Sequence, residues 1–181
     1  MKFKVFASCF LLFLSVLVAK GQHSNIVIGP EIDLPTGNSV NVSSLGLGGY
    51  FKGEVGLSRI FSLTGTAGVV SFLGKKIIGP RTETLSYLPV KAGLKYYTSD
   101  QNFYIEGQLG ARFQPSGSAK AAFVWSPGIG SFIKSKKNSN QLDIGLRYEG
   151  WRGSSLIIPQ GTTYTTFAFF SLRAGYAFNL K

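Results

Sequence analysis

The sequence predicts an all-β fold: an eight-stranded antiparallel up-and-down transmembrane β-barrel preceded by a cleaved signal peptide. Three observations predict it. Eight segments read as strands, most of them alternating apolar and polar residues, short and long connections alternate between the first of them, and acids and bases balance on the polar rows. Strict alternation marks a strand, because neighbouring side chains point to opposite faces.

The first 21 residues read as an export signal. Lys2 and Lys4 precede the apolar run 5–18, VFASCFLLFLSVLV, and small residues at Ala19 and Gly21 place cleavage before Gln22. The run is shorter than the roughly 20 residues a spanning helix needs. The domain is then 22–181. Cys9 is the only cysteine, so the mature chain carries no disulfide, thiol nucleophile or thiolate metal site. Without Lys2, Lys4 and Lys20, 16 Lys and Arg face 8 Asp and Glu. No run of about 18 apolar residues follows the signal, so any membrane crossing must use strands. In lipid, only helices and closed barrels satisfy every backbone polar group.

The predicted strands are 25–34, 44–58, 61–73, 84–97, 102–114, 120–134, 140–151 and 163–180. Gly, Pro, Asn, Ser and Asp fill the gaps, as turn chemistry expects. Segments 35–43, 74–83 and 152–162 are long, while 59–60 and 98–101 are short. The fifth strand shows the two rows best. Phe103, Ile105, Gly107, Leu109, Ala111 and Phe113 form one; Tyr104, Glu106, Gln108, Gly110 and Arg112 form the other. Strands 61–73 and 120–134 alternate poorly. Pro30, Pro89 and Pro127 fall inside strands, where bulges or strand ends are expected. Phe167 and Phe169 fall on a polar row, which predicts a bulge near Phe169 and Phe170.

Six acids lie on the polar rows: Glu31, Asp33, Glu54, Glu106, Asp143 and Glu149. Six bases lie there too: Lys52, Lys91, Lys95, Arg112, Arg147 and Arg173. An open wet face needs no such matching, but an enclosed interior does, because an unpaired enclosed charge is costly. Ten glycines share these rows: Gly29, Gly46, Gly48, Gly56, Gly93, Gly110, Gly128, Gly130, Gly145 and Gly175. Inside a barrel of eight strands they leave room for long side chains. Aromatic residues near strand ends, Tyr96, Tyr97, Phe103 and Tyr104 at one end and Tyr148, Trp151 and Tyr164 at the other, fit two interface belts. A basic side chain facing mid-membrane lipid costs roughly 2–4 kcal/mol. Turning all six bases outward would cost on the order of 10 kcal/mol or more, comparable with a domain's whole stability. The charged rows are therefore the lumen, and the apolar rows face lipid.

With the signal, the eight amphipathic segments and the final segment FFSLRAGYAFNLK, the chain resembles the small eight-stranded outer-membrane β-barrels of Gram-negative bacteria. These are the porin-like "outer membrane protein beta-barrel" families. The last segment looks like their C-terminal insertion signal, though it ends Phe178-Asn179-Leu180-Lys181 rather than on the aromatic residue. The resemblance implies an outer-membrane monomer with both ends periplasmic, inserted by the barrel-assembly machinery among outer-membrane lipid and lipopolysaccharide.

Catalytic chemistry is sparse. Enzymes resembling this class use a histidine with a serine or aspartate, and the one histidine here, His23, precedes the first strand. The same count argues against a histidine metal site. Gly46-Leu47-Gly48-Gly49 is followed by no helix, so it carries no nucleotide reading. The expectation is a non-enzymatic chain with no cofactor and no nucleic-acid role. Lys75, Lys76 and Arg81, with Arg152, are candidate contacts to lipopolysaccharide phosphates. The alternatives are a narrow porin-like channel and a soluble secreted barrel that binds an apolar ligand.

Overall fold

The computed structural model describes residues 24–74, 84–115, 121–134, 140–158 and 161–180, with the backbone alone at 134, 153–158 and 161–165. The signal segment, His23, Lys75, Lys76 and Arg81 lie outside the described residues. Eight strands follow in order: β1 Ser24–Thr36, β2 Ser43–Gly56, β3 Phe61–Gly74, β4 Leu85–Tyr97, β5 Phe103–Phe113, β6 Ala122–Lys134, β7 Gln141–Ile158 and β8 Gly161–Leu180. Each pairs antiparallel with its sequence neighbour, and β8 returns to β1 from Ser24↔Leu180 to Thr36↔Ala168, closing the barrel. Closure leaves the barrel wall without an exposed sheet edge.

Chain order divides the barrel into two ends. The connections 57–60, 98–102 and 135–140 share one end with Ser24 and Leu180; this is the turn end. The opposite, loop end carries 75–84, 114–121 and a short 3-10 helix, Gly37–Asn41. Ser39 of that helix is buried, and its hydroxyl accepts a hydrogen bond from the Ala168 N–H at 2.9 Å.

Several sequence expectations need correction. The segment 152–162 is mostly strand: Ser154↔Thr165 through Ile158↔Gly161 extend the β7–β8 hairpin beyond the residues that β6 and β1 pair. No bulge occurs at Phe169 and Phe170, which pair in register with Glu149 and Tyr148. The register shifts lie instead between Trp151 and Ser154 and between Ser43 and Leu45. The three prolines produce neither bulges nor strand ends. Each sits where pairing to one neighbour lapses and resumes in the same register: Ile28↔Tyr176 then Glu31↔Arg173, Ala67↔Val90 then Val70↔Tyr87, and Trp125↔Gly150 then Gly128↔Arg147. A proline has no N–H to donate, so the ladder skips it without slipping.

The burial pattern is inside-out for a protein in water. Leu94, Leu109 and Ile129 on the exterior are 55%, 59% and 58% exposed, while Lys95, Glu106 and Asp143 are at most 1% exposed.

Candidate functional site

The interior is built by the odd positions of β1, β4, β7 and β8 and the even positions of β2, β3, β5 and β6. All twelve charged residues named on the polar rows are buried. Five pairs form inside the barrel: Lys52–Asp143, Lys91–Glu149, Lys95–Glu54, Arg147–Glu106 and Arg173–Glu31, the third at 2.5 Å and the last at 2.6 Å, and Arg173 also reaches Glu149 at 3.9 Å. None joins nearest neighbours in sequence. Arg173 and Glu31 face each other on the paired strands β8 and β1. The other four pairs join strands that are not adjacent, and meet because the tube is narrow enough for side chains to fill it.

Neutral groups complete four of the five pairs; Arg173 instead lies 4.9 Å from the centre of the Tyr50 ring. Around Glu106, the Thr64 hydroxyl donates at 2.6 Å and Gln108 Nε2 at 2.9 Å, while Gln108 Oε1 accepts from Arg147 at 2.8 Å. Gln108 Nε2 also donates to Thr66 at 2.8 Å. Around Asp143, the Tyr104 hydroxyl donates at 2.5 Å. The Tyr97 hydroxyl donates to Glu54, and Trp151 Nε1 donates to Glu149 at 2.8 Å. Lys95 also lies 4.2 Å from the centre of the Tyr104 ring. A buried ion pair offsets its desolvation only when such partners take up the remaining lone pairs and protons.

Asp33 and Arg112 sit nearer the loop end and join none of these pairs. Asp33 is 1% exposed, and its carboxylate accepts no hydrogen bond among the described residues. Arg112 lies against Tyr87 at 4.4 Å and Trp151 at 5.1 Å from the ring centres.

Aromatic residues cap the ionic belt on both sides, and sequence reasoning missed this. At the loop end Val70, Phe72, Val124, Trp151, Phe167 and Phe169 form one buried cluster. Phe72 sits within it, 4.9 Å from Phe167 and 5.1 Å from Phe169. The misplaced phenylalanines of the polar row are this plug. Toward the turn end Tyr97, Tyr104 and Phe132 form a second cluster. Tyr97, Tyr104 and Trp151 therefore point inward and belong to no interface belt; Tyr96 and Phe103 do face outward. Part of the interior glycine space serves these rings. A side chain at Gly130 would run into the Tyr104 ring, and one at Gly175 into the Tyr50 hydroxyl. Others clear polar side chains, as Gly128 does for Arg147.

The basic contacts expected in the loops cannot be gathered into one site. Arg152 is exposed on β7, but Lys75, Lys76 and Arg81 lie outside the described residues. Among the described residues no group of three or more His, Cys, Asp or Glu is placed to hold a metal ion.

No family profile and no curated protein matches the sequence. Solved structures do match. The outer membrane protein Ail of Yersinia pestis, as a backbone structure in a phospholipid bilayer nanodisc, is 17% identical, with a TM-score of 0.54 over 88% of this chain and 100% of that one. Ail in complex with the heparin analogue sucrose octasulfate gives 16% identity and a TM-score of 0.53 over 86% and 98%. Neisserial surface protein A gives 12% identity and a TM-score of 0.55 over 85% and 95%. The chain thus shares the closed eight-stranded up-and-down barrel of these small outer membrane proteins.

Proposed function

We propose that this chain is an integral outer-membrane barrel of a Gram-negative bacterium. It is exported by a cleaved signal, with both ends periplasmic, and has a non-enzymatic structural or surface-binding role. One observation carries the reading: a wall of exposed Leu, Ile, Val and Phe surrounds a core of buried, paired charges. Monomeric soluble proteins rarely expose contiguous apolar patches beyond a few hundred Å². Here the apolar row runs around every strand, which suits lipid. A soluble barrel built for an apolar ligand would need the opposite arrangement.

The lumen network acts as a structural strut rather than a conduit. Ion pairs fill the middle, and the Phe72–Trp151–Phe169 cluster fills the loop end, which weighs against the porin-like channel. Surface binding belongs to the loop end. Lys75, Lys76, Arg81 and Arg152 would meet the phosphates of lipopolysaccharide or another polyanion by charge attraction. Ail's complex with sucrose octasulfate is a polyanion complex on the same fold.

Two experiments test this reading. Fractionation of the expressing cells should place the chain in the outer membrane, with tags inserted at residues 77 and 157 reachable from outside intact cells. Recovery in the soluble periplasm would overturn it. Replacing Lys75, Lys76 and Arg81 with Ser should weaken lipopolysaccharide binding and reduce its salt dependence; unchanged binding removes the loop contact.

A further inference from the structure

The turn-end mouth holds a cavity of about 240 Å³ that opens outward from the second aromatic cluster. It is lined by Asn25, Ser58, Arg59, Ser62, Tyr97, Gln101, Phe132, Gln141 and Asn179. Four of these carry amides, three carry hydroxyls, two offer rings and one is a cation. None is an acid. The space is large enough to hold several waters or one sugar ring.

Three further observations make this a built site. Asn25 is 8% exposed, and its side-chain Oδ1 accepts no hydrogen bond among the described residues. A buried acceptor left unmatched costs about 1–3 kcal/mol, so it calls for a donor. Gln101 holds a left-handed backbone, φ 54°, which a residue with a side chain rarely adopts. That turn is pinned by Gln101 Nε2, which donates to the Arg59 carbonyl at 3.0 Å. The Tyr97 N–H, donating to the Ile60 carbonyl at 2.8 Å, ties the two turns together from the other side. The rim is thereby fixed, with Arg59 exposed on it and in no ion pair with a described residue.

We propose that this mouth binds a single sugar ring bearing a carboxylate. The exposed edges of the mutually stacked Tyr97 and Phe132 rings would form the floor against the sugar ring's C–H groups. The amides of Asn25, Gln141 and Asn179 and the hydroxyls of Ser58 and Ser62 would exchange hydrogen bonds with its hydroxyls, one of which donates to Asn25. Arg59 would pair with the carboxylate. The lining, not the surrounding lipid, carries this inference, so it stands apart from the proposed membrane location.

The test titrates glucuronate and glucose into the full chain, refolded in detergent micelles and followed by amide NMR. Glucuronate should give saturable shifts confined to Asn25, Gln101, Phe132 and Gln141. Glucose should bind about tenfold more weakly, for want of the charge-assisted bond. Arg59→Ser, at an exposed turn position, should leave the barrel spectrum intact and bring glucuronate down to the glucose level. Asn25→Leu should weaken both sugars. The proposal is overturned by shifts that do not saturate, by shifts spread over the exterior or the loop end, or by Arg59→Ser binding both sugars like the unaltered chain.

Discussion

Glu106 shows what a single interior residue must satisfy. It pairs with Arg147 and accepts from Thr64 and Gln108, all in a space closed to bulk water. Removing one partner of such a pair strands the other. Glu106→Leu should therefore cost about 3–5 kcal/mol in unfolding free energy, measured by urea titration in lipid vesicles. Replacing both, Glu106→Leu with Arg147→Met, should recover most of that loss, since an apolar pair of similar volume is often neutral. A double variant as unstable as the single one would mean the network matters beyond its pairing. Interior glycines make a second prediction at this scale. Gly130→Val would push the Tyr104 ring off its place over the strand and away from Asp143, at a cost of about 1–3 kcal/mol.

At the scale of the strand, the period of two decides nearly everything. Leu109 and Glu106 face opposite ways because they differ in parity, and that much is readable in the sequence of β5. The same parity puts Tyr97, Tyr104, Trp151, Phe167 and Phe169 on the charged rows, and the structure buries all five. Aromatic chemistry obscures this, because Phe, Tyr and Trp suit a lipid interface and a crowded lumen equally, which is why the sequence suggests an interface belt and a bulge in their place. The extension of β7 to Ile158 was hidden for a different reason: Gly153, Ser154, Ser155 and Pro159 look like turn chemistry, yet most of that stretch pairs with β8. The prolines misled because a skipped ladder bond needs no change of register. Gly107 offers a clean test of the outer face, because a side chain there meets open space. Gly107→Arg should cost about 2–4 kcal/mol in a bilayer, whereas Gly107→Leu should cost nothing. Equal stabilities for the two variants would mean that the outer face is wet.

For the whole molecule, the two aromatic clusters and the ion pairs between them predict a barrel that does not conduct. Planar bilayers should show no steady single-channel steps, and regular steps would favour the channel reading. The central claim is that lipid, not protein or water, covers the apolar exterior. The chain supplies its own probes, since it has two tryptophans: Trp125 on the outer face beside Gly150, and Trp151 buried in the lumen. The most direct measurement is fluorescence quenching by acyl-brominated lipids in vesicles, read on the Trp151→Phe and Trp125→Phe proteins. Trp125 should be strongly quenched while Trp151 keeps its emission; equal quenching, or quenching of Trp151 alone, would contradict the arrangement.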